Sequence, residues 1–152
     1  MGRFQNTVTI DRPVEEVFTF LAAFENVPTW NYAIEQTIKT SPGPVAAGAT
    51  YRQTRSIPRR TEEEFEVTIF EPPRRIAIRG QIGPFRARSS YVLEPAGSAT
   101  RLTNEVDLEP SSTALKLFAP LAVPRVRAAV ARNLEKLKQF LEWGQGDAGQ
   151  GS

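Results

Sequence analysis

Tyr51, Gln53 and Arg55 stand at every second position of one short segment, and Ser89 and Tyr91 repeat that spacing in another. In a β-strand such spacing puts side chains on one face, so these groups can converge if both segments are extended. A guanidinium there could hold a carboxylate or stabilise a developing enolate. A tyrosine hydroxyl, with an ordinary pKa of about 10, donates a proton but is a poor resting base at neutral pH. The chain has no histidine and no cysteine. Thiolate nucleophiles, disulfides and thiolate metal sites are therefore excluded, and so are histidine-dependent hydrolases and zinc enzymes. Any catalysis must use carboxylate, Arg, Lys or Tyr, and neither a metal nor a cofactor is expected.

The elements that must position these residues follow from periodicity. Phe4, Val8 and Ile10 alternate with Gln5, Thr7 and Thr9, which predicts a first strand ending at Asp11. Pro13 suits a first helical position, Glu15 and Glu16 favour the positive helix end, and Val14, Val17, Phe18 and Leu21 form the inward stripe. The segment 24–32 carries aromatics around Pro28 and predicts a short helical turn, read either as aromatic packing at a sheet corner or as a ligand-contacting mouth. Six further strands are expected at 32–40, 50–57, 62–70, 75–81, 85–94 and 100–108, separated by Pro- and Gly-rich turns. A helix from Ser112 to Trp143 closes the pattern, with Leu117, Leu121, Val126, Val130, Leu134, Leu137 and Leu141 on its expected buried face. Pro120 and Pro124 should kink or break its start, either as a gate or merely to bend it around the sheet.

Length and charge bound the rest. The 152 residues, 40% hydrophobic, predict one domain over residues 3–143 followed by a disordered Gly-rich tail over 144–152. Nineteen basic and seventeen acidic residues nearly cancel, so no nucleic-acid partner is expected. No apolar run approaches the roughly eighteen residues needed to cross a bilayer. Without a recognisable leader, the expected location is the cytoplasm, as a monomer or homodimer.

Strand register then predicts what faces inward. Turns at 82–85 and 93–102 put Tyr91 opposite Ile76 and Asn104, and Ser89 opposite Ile78 and Val106. The Pro72-Pro73 turn places Ile69 beside Ile76 and Val67 beside Ile78. Tyr51, Gln53, Arg55 and Phe65 join the same concave face, and no carboxylate is expected among them. The opposite face carries a transverse row of Glu66, Arg79, Arg88 and Asp107, read as sheet-surface pairing. Two readings stand for Arg55: it snorkels to water beside the Pro58 turn, or it turns into the interior and needs an anion or several acceptors.

The order of strand, helix, short helix, six strands and long helix resembles the helix-grip fold of the START-like (SRPBCC) superfamily, in its polyketide cyclase/dehydrase branch. The residues that carry the resemblance are IDRPVEEVFTFL at 10–21, Trp30, VAAGATYRQ at 45–53, FEPPRRI at 70–76, YVLEPAGSATRLT at 91–103 and NLEKLKQFLE at 133–142. It implies an α+β fold in which a seven-stranded curved antiparallel sheet wraps around the C-terminal helix, with two short helices between strands 1 and 2. It also implies a deep cavity between sheet and helix. The expected lining is Phe24, Trp30, Tyr32, Tyr51, Gln53, Arg55, Phe65, Val67, Ile78, Ser89, Tyr91, Asn104, Leu117 and Leu121. The family's members include lipid carriers, hormone binders, coenzyme Q-binding proteins, aromatase/cyclases and chaperone activators. The leading expectation is a carrier or sensor of a small, mostly hydrophobic polyketide, lipid or isoprenoid-like molecule. The alternative is a cofactor-independent polyketide cyclase or dehydratase. In the aromatase/cyclases, cavity Arg and Tyr groups steer a poly-β-keto chain through aldol closure, and Arg55, Tyr51, Tyr91 and Trp30 are the candidates by position. A third reading is a protein-interaction module with a residual pocket.

Overall fold

Residues 2–144 are described by a computed structural model. The expected tail falls outside them apart from Gly144. The alternating N-terminal segment forms β1 (Gly2–Ile10), and Pro13 caps α1 (Val14–Ala22), whose Val14, Val17, Phe18 and Leu21 are buried as their spacing predicts. A 3-10 turn at Phe24–Asn26 leads into the single-turn α2 (Val27–Trp30). Six strands follow: β2 (Ile34–Lys39), β3 (Thr50–Arg55), β4 (Thr61–Glu71), β5 (Arg75–Ile82), β6 (Phe85–Ala96) and β7 (Ala99–Pro110). The seven strands make one curved antiparallel sheet in the order β1-β7-β6-β5-β4-β3-β2. The last helix, α3 (Thr113–Gln139), ends in a π turn at Phe140–Gly144.

The β5, β6 and β7 register is as expected: Tyr91 pairs with Ile76 and Asn104, and Ser89 with Ile78 and Val106. On β4 the regular ladder fails. Val67 pairs with Ile78, but a bulge between Val67 and Ile69 sets Ile69 opposite Ala77 and Phe70 opposite Ile76. The extra residue changes the parity of the strand, so Phe70 rather than Ile69 reaches the core and packs on Phe18 at 5.7 Å. On the outer face Arg79 pairs with Glu66 at 3.1 Å, and Asp107 with Arg3 of β1 at 3.4 Å. These contacts are exposed and contribute little to stability.

Of the expected kink or break, the break does not occur: α3 runs unbroken through Pro120 and Pro124. Each proline removes one helical hydrogen bond, but both are exposed and the freed carbonyls of Lys116 and Pro120 can be hydrated. The helix rests on two cores. Its first half covers Phe4, Phe85, Ala87, Val106 and Leu108 through Ala119, Val123 and Val126, its second half inserts Leu134 and Leu137 into the main core, and the π turn adds Leu141. Among the described residues no helix is long and apolar enough to cross a membrane.

A polar latch fastens the C-terminal end of α3. Glu142 Oε2 accepts from the Asp11 amide at 2.6 Å and from Lys138 Nζ at 2.7 Å, while Arg12 Nε donates to the Leu141 carbonyl at 2.9 Å. Burial pushes the Glu142 carboxyl up, but the Lys138 hydrogen bond and charge, the Asp11 amide and Trp143 together hold it below its ordinary value. A depressed folded value stabilises the protein above the unfolded pKa of about 4.3, and that contribution disappears as pH falls through the folded value. Glu142→Gln is therefore expected to cost about 1 kcal/mol near neutral pH. In denaturant titrations the gap from wild type should close in acid; a gap that stays constant down to acid pH contradicts the latch.

Candidate functional site

A cavity of about 760 Å³ lies between the concave sheet face and α3. β3 contributes Gln53 and Arg55, β4 Phe65, β5 Ile78 and Gly80, β6 Ser89 and Tyr91, and β7 Asn104 and Val106. Phe24, Val27 and Trp30 close one end, and Phe118, Leu121, Val126, Val130 and Leu134 of α3 form the opposite wall. Gly80 makes room for this arrangement. A Cβ there would lie 2.5 Å from both the Glu64 carbonyl oxygen and Phe65 Cβ, so glycine lets the Phe65 side of β4 sit close.

The polar groups gather in two places. Asn104 Nδ2 donates to Ser89 Oγ at 2.9 Å and to the Ser90 carbonyl at 3.1 Å, with Tyr91 beside them. Burial raises the Tyr91 pKa, and its hydrogen bond with Ser89 opposes this without cancelling it, so the hydroxyl stays protonated at neutral pH. Three strands away, and displaced toward the β3–β4 and β5–β6 turns, Arg55 Nε donates to Glu63 Oε2 at 2.9 Å. Gln53 Nε2 donates to Glu63 Oε1 at 2.9 Å, and the Gly83 amide to Oε2 at 3.0 Å. Glu63 is 3% exposed and Arg55 12%, which makes this the most buried ion pair among the described residues.

With sheet, helix and cavity in place, the chain can be set against known proteins. The family described as polyketide cyclase / dehydrase and lipid transport is matched over residues 1–142. The chain belongs to that family. No curated protein matches it. Solved structures share the fold of this chain at low identity. The Zhui aromatase/cyclase of a Streptomyces species superposes with a TM-score of 0.73 at 14% identity, covering 93% of this chain and 96% of its own. A Thermus thermophilus protein gives 0.66 at 21% identity, with coverages of 92% and 94%. A START superfamily protein of Mycobacterium smegmatis gives 0.63 at 19% identity, with coverages of 89% and 98%.

Within this family member, eleven of the fourteen expected residues line the cavity: Phe24, Trp30, Tyr32, Gln53, Arg55, Phe65, Ile78, Ser89, Tyr91, Asn104 and Leu121. Three do not. Tyr51 lies in the core, stacked on Phe65 at 5.0 Å and edge-on to Phe24 at 5.1 Å. Burial, with the Glu25 charge adding to it, pushes its pKa up to about 12, so it offers no base. Val67 is fully buried behind the wall. Leu117 points outward, 78% exposed, and Phe118 lines the cavity in its place. Phe24 and Trp30 pack in the core, as the first reading of their segment has it, and both also border the cavity.

Of the two readings of Arg55, the structure agrees with the interior one: the side chain borders the cavity and the anion it needs is Glu63 of the same chain, which the sequence reading did not name. The expectation of an interior without carboxylates is thus corrected. The available signal was register: Glu63 shares parity with Phe65 and lies directly opposite Gln53.

Proposed function

We propose that the protein binds a small, largely hydrophobic molecule bearing oxygen functions, of polyketide, lipid or isoprenoid-like type, and acts as its carrier or sensor. The observation that supports this best is the cavity of about 760 Å³, apolar over most of its wall and furnished with two separate sets of hydrogen-bonding groups, one at Arg55 and one at Ser89, Tyr91 and Asn104. A cyclase or dehydratase activity is the second reading, favoured by Arg55 and Tyr91 bordering the same space. It ranks below binding because Glu63 already accepts three hydrogen bonds and both tyrosine candidates are held protonated. That leaves proton donors with no ready base.

Native mass spectrometry of freshly purified protein tests the binding reading. A co-purifying molecule released on denaturation is expected; preparations that are empty from several expression hosts and take up no hydrophobic probe count against it. Tyr91→Phe should weaken binding of the recovered compound by about 0.5 to 1.5 kcal/mol, the contribution of one hydrogen bond, with the fold retained. Unaltered affinity removes Tyr91 from the site.

A further inference from the structure

The reading of the cavity as a ligand site leaves the charge of the ligand open, and the Arg55–Glu63 pair decides it. Arg55, Arg125 and Arg132 are the charged residues among the described cavity lining, and no carboxylate borders the space. Arg125 and Arg132 are exposed on α3, where water and salt screen them. Arg55 is the inner cation, and Glu63 stands 2.9 Å from its Nε, behind the wall. The terminal nitrogens of Arg55 make no hydrogen bond to another described residue. The inner site therefore offers guanidinium N–H donors whose positive charge is already cancelled.

We propose that this pair makes the inner site selective for an uncharged ligand presenting a carbonyl or hydroxyl oxygen, and that Glu63 is the residue that excludes carboxylates. A ligand carboxylate entering here must shed its water, and the Arg55 charge that would compensate it is committed to Glu63. The Glu63 charge behind the guanidinium also repels it. A ketone or alcohol has no ionic hydration shell to lose and accepts the same N–H groups. The second polar cluster is consistent with this, since Ser89, Tyr91 and Asn104 are all neutral donors or acceptors there. Discrimination thus comes from a built-in repulsive element as much as from an attractive one.

The test uses the full chain and two probes of one ring skeleton, acetylnaphthalene and naphthoate, titrated calorimetrically into wild type and Glu63→Gln. That substitution removes the charge while keeping the shape. Its carbonyl can accept from Arg55 and Gly83, and its amide can face a turned Gln53. Wild type is expected to bind the ketone about tenfold or more tightly than the carboxylate, and Glu63→Gln to erase or invert that ratio. Equal binding of the two probes by wild type overturns the proposal, and so does a ratio that Glu63→Gln leaves unchanged. The wild-type ratio needs no variant and remains decisive if Glu63→Gln folds poorly. If neither protein binds either probe, the ligand-site reading itself fails and takes this proposal with it, whereas probes bound without discrimination sink the charge selectivity alone.

Discussion

Glu63→Ala is expected to lower the free energy of unfolding by about 3 to 5 kcal/mol, the range for stripping one partner from a buried ion pair. The loss has three parts. Arg55 keeps its charge, 12% exposed, with no anion beside it. Gln53 Nε2 and the Gly83 amide each lose their acceptor. The Gly83 contribution matters for architecture because that residue, at φ 58°, turns the chain from β5 into β6, whose Ser89 and Tyr91 form the polar floor. Replacing both partners, as Arg55→Met with Glu63→Met, should recover most of the loss, since neither charge is then left to be buried alone. Urea unfolding of wild type, the single variant and the double variant measures this. A Glu63→Ala protein within about 0.5 kcal/mol of wild type would mean that cavity water solvates Arg55 adequately.

The visibility of this pair in the sequence shows where pattern reading works and where it stops. β6 and β7 were readable because tight glycine turns fix their register and period two then assigns every face; the Tyr91–Asn104 and Ser89–Val106 pairs follow directly. Glu63 was hidden by its neighbours. Glu62, Glu63 and Glu64 are three like residues in a row, and only parity with Phe65 marks the middle one as inward. The β4 bulge had no sequence mark, because the residues around Thr68 carry neither glycine nor proline.

The helix face failed for a geometric reason. One residue advances an α-helix by about 100°, so the five-residue step from Leu121 to Val126 overshoots a full turn by about 140°. Leu117 and Leu121 consequently lie on a different face from Val126, Val130, Leu134 and Leu137. The sheet-facing stripe of the first half is instead the half-buried Ala119, Val123 and Val126, small residues that let α3 approach the sheet. The leucines so displaced are 78% and 69% exposed, and Leu121 still borders the cavity.

That displacement separates anchoring from enclosure along one helix, and a pair of truncations measures the separation. Leu137→Ala should cost about 2 to 5 kcal/mol, because the side chain is fully buried in the main core and its removal leaves a void that flanking side chains fill only in part. Leu121→Ala removes the same atoms from an exposed position and should stay within about 0.5 kcal/mol of wild type. Uptake of the neutral naphthyl ketone should respond in the opposite sense: Leu121→Ala strips apolar wall from the cavity, whereas Leu137 does not border it. Comparable losses of stability in the two variants would mean that the first half of α3 carries as much of the grip as the second. In that case the space beneath it could not be opened without unfolding the protein.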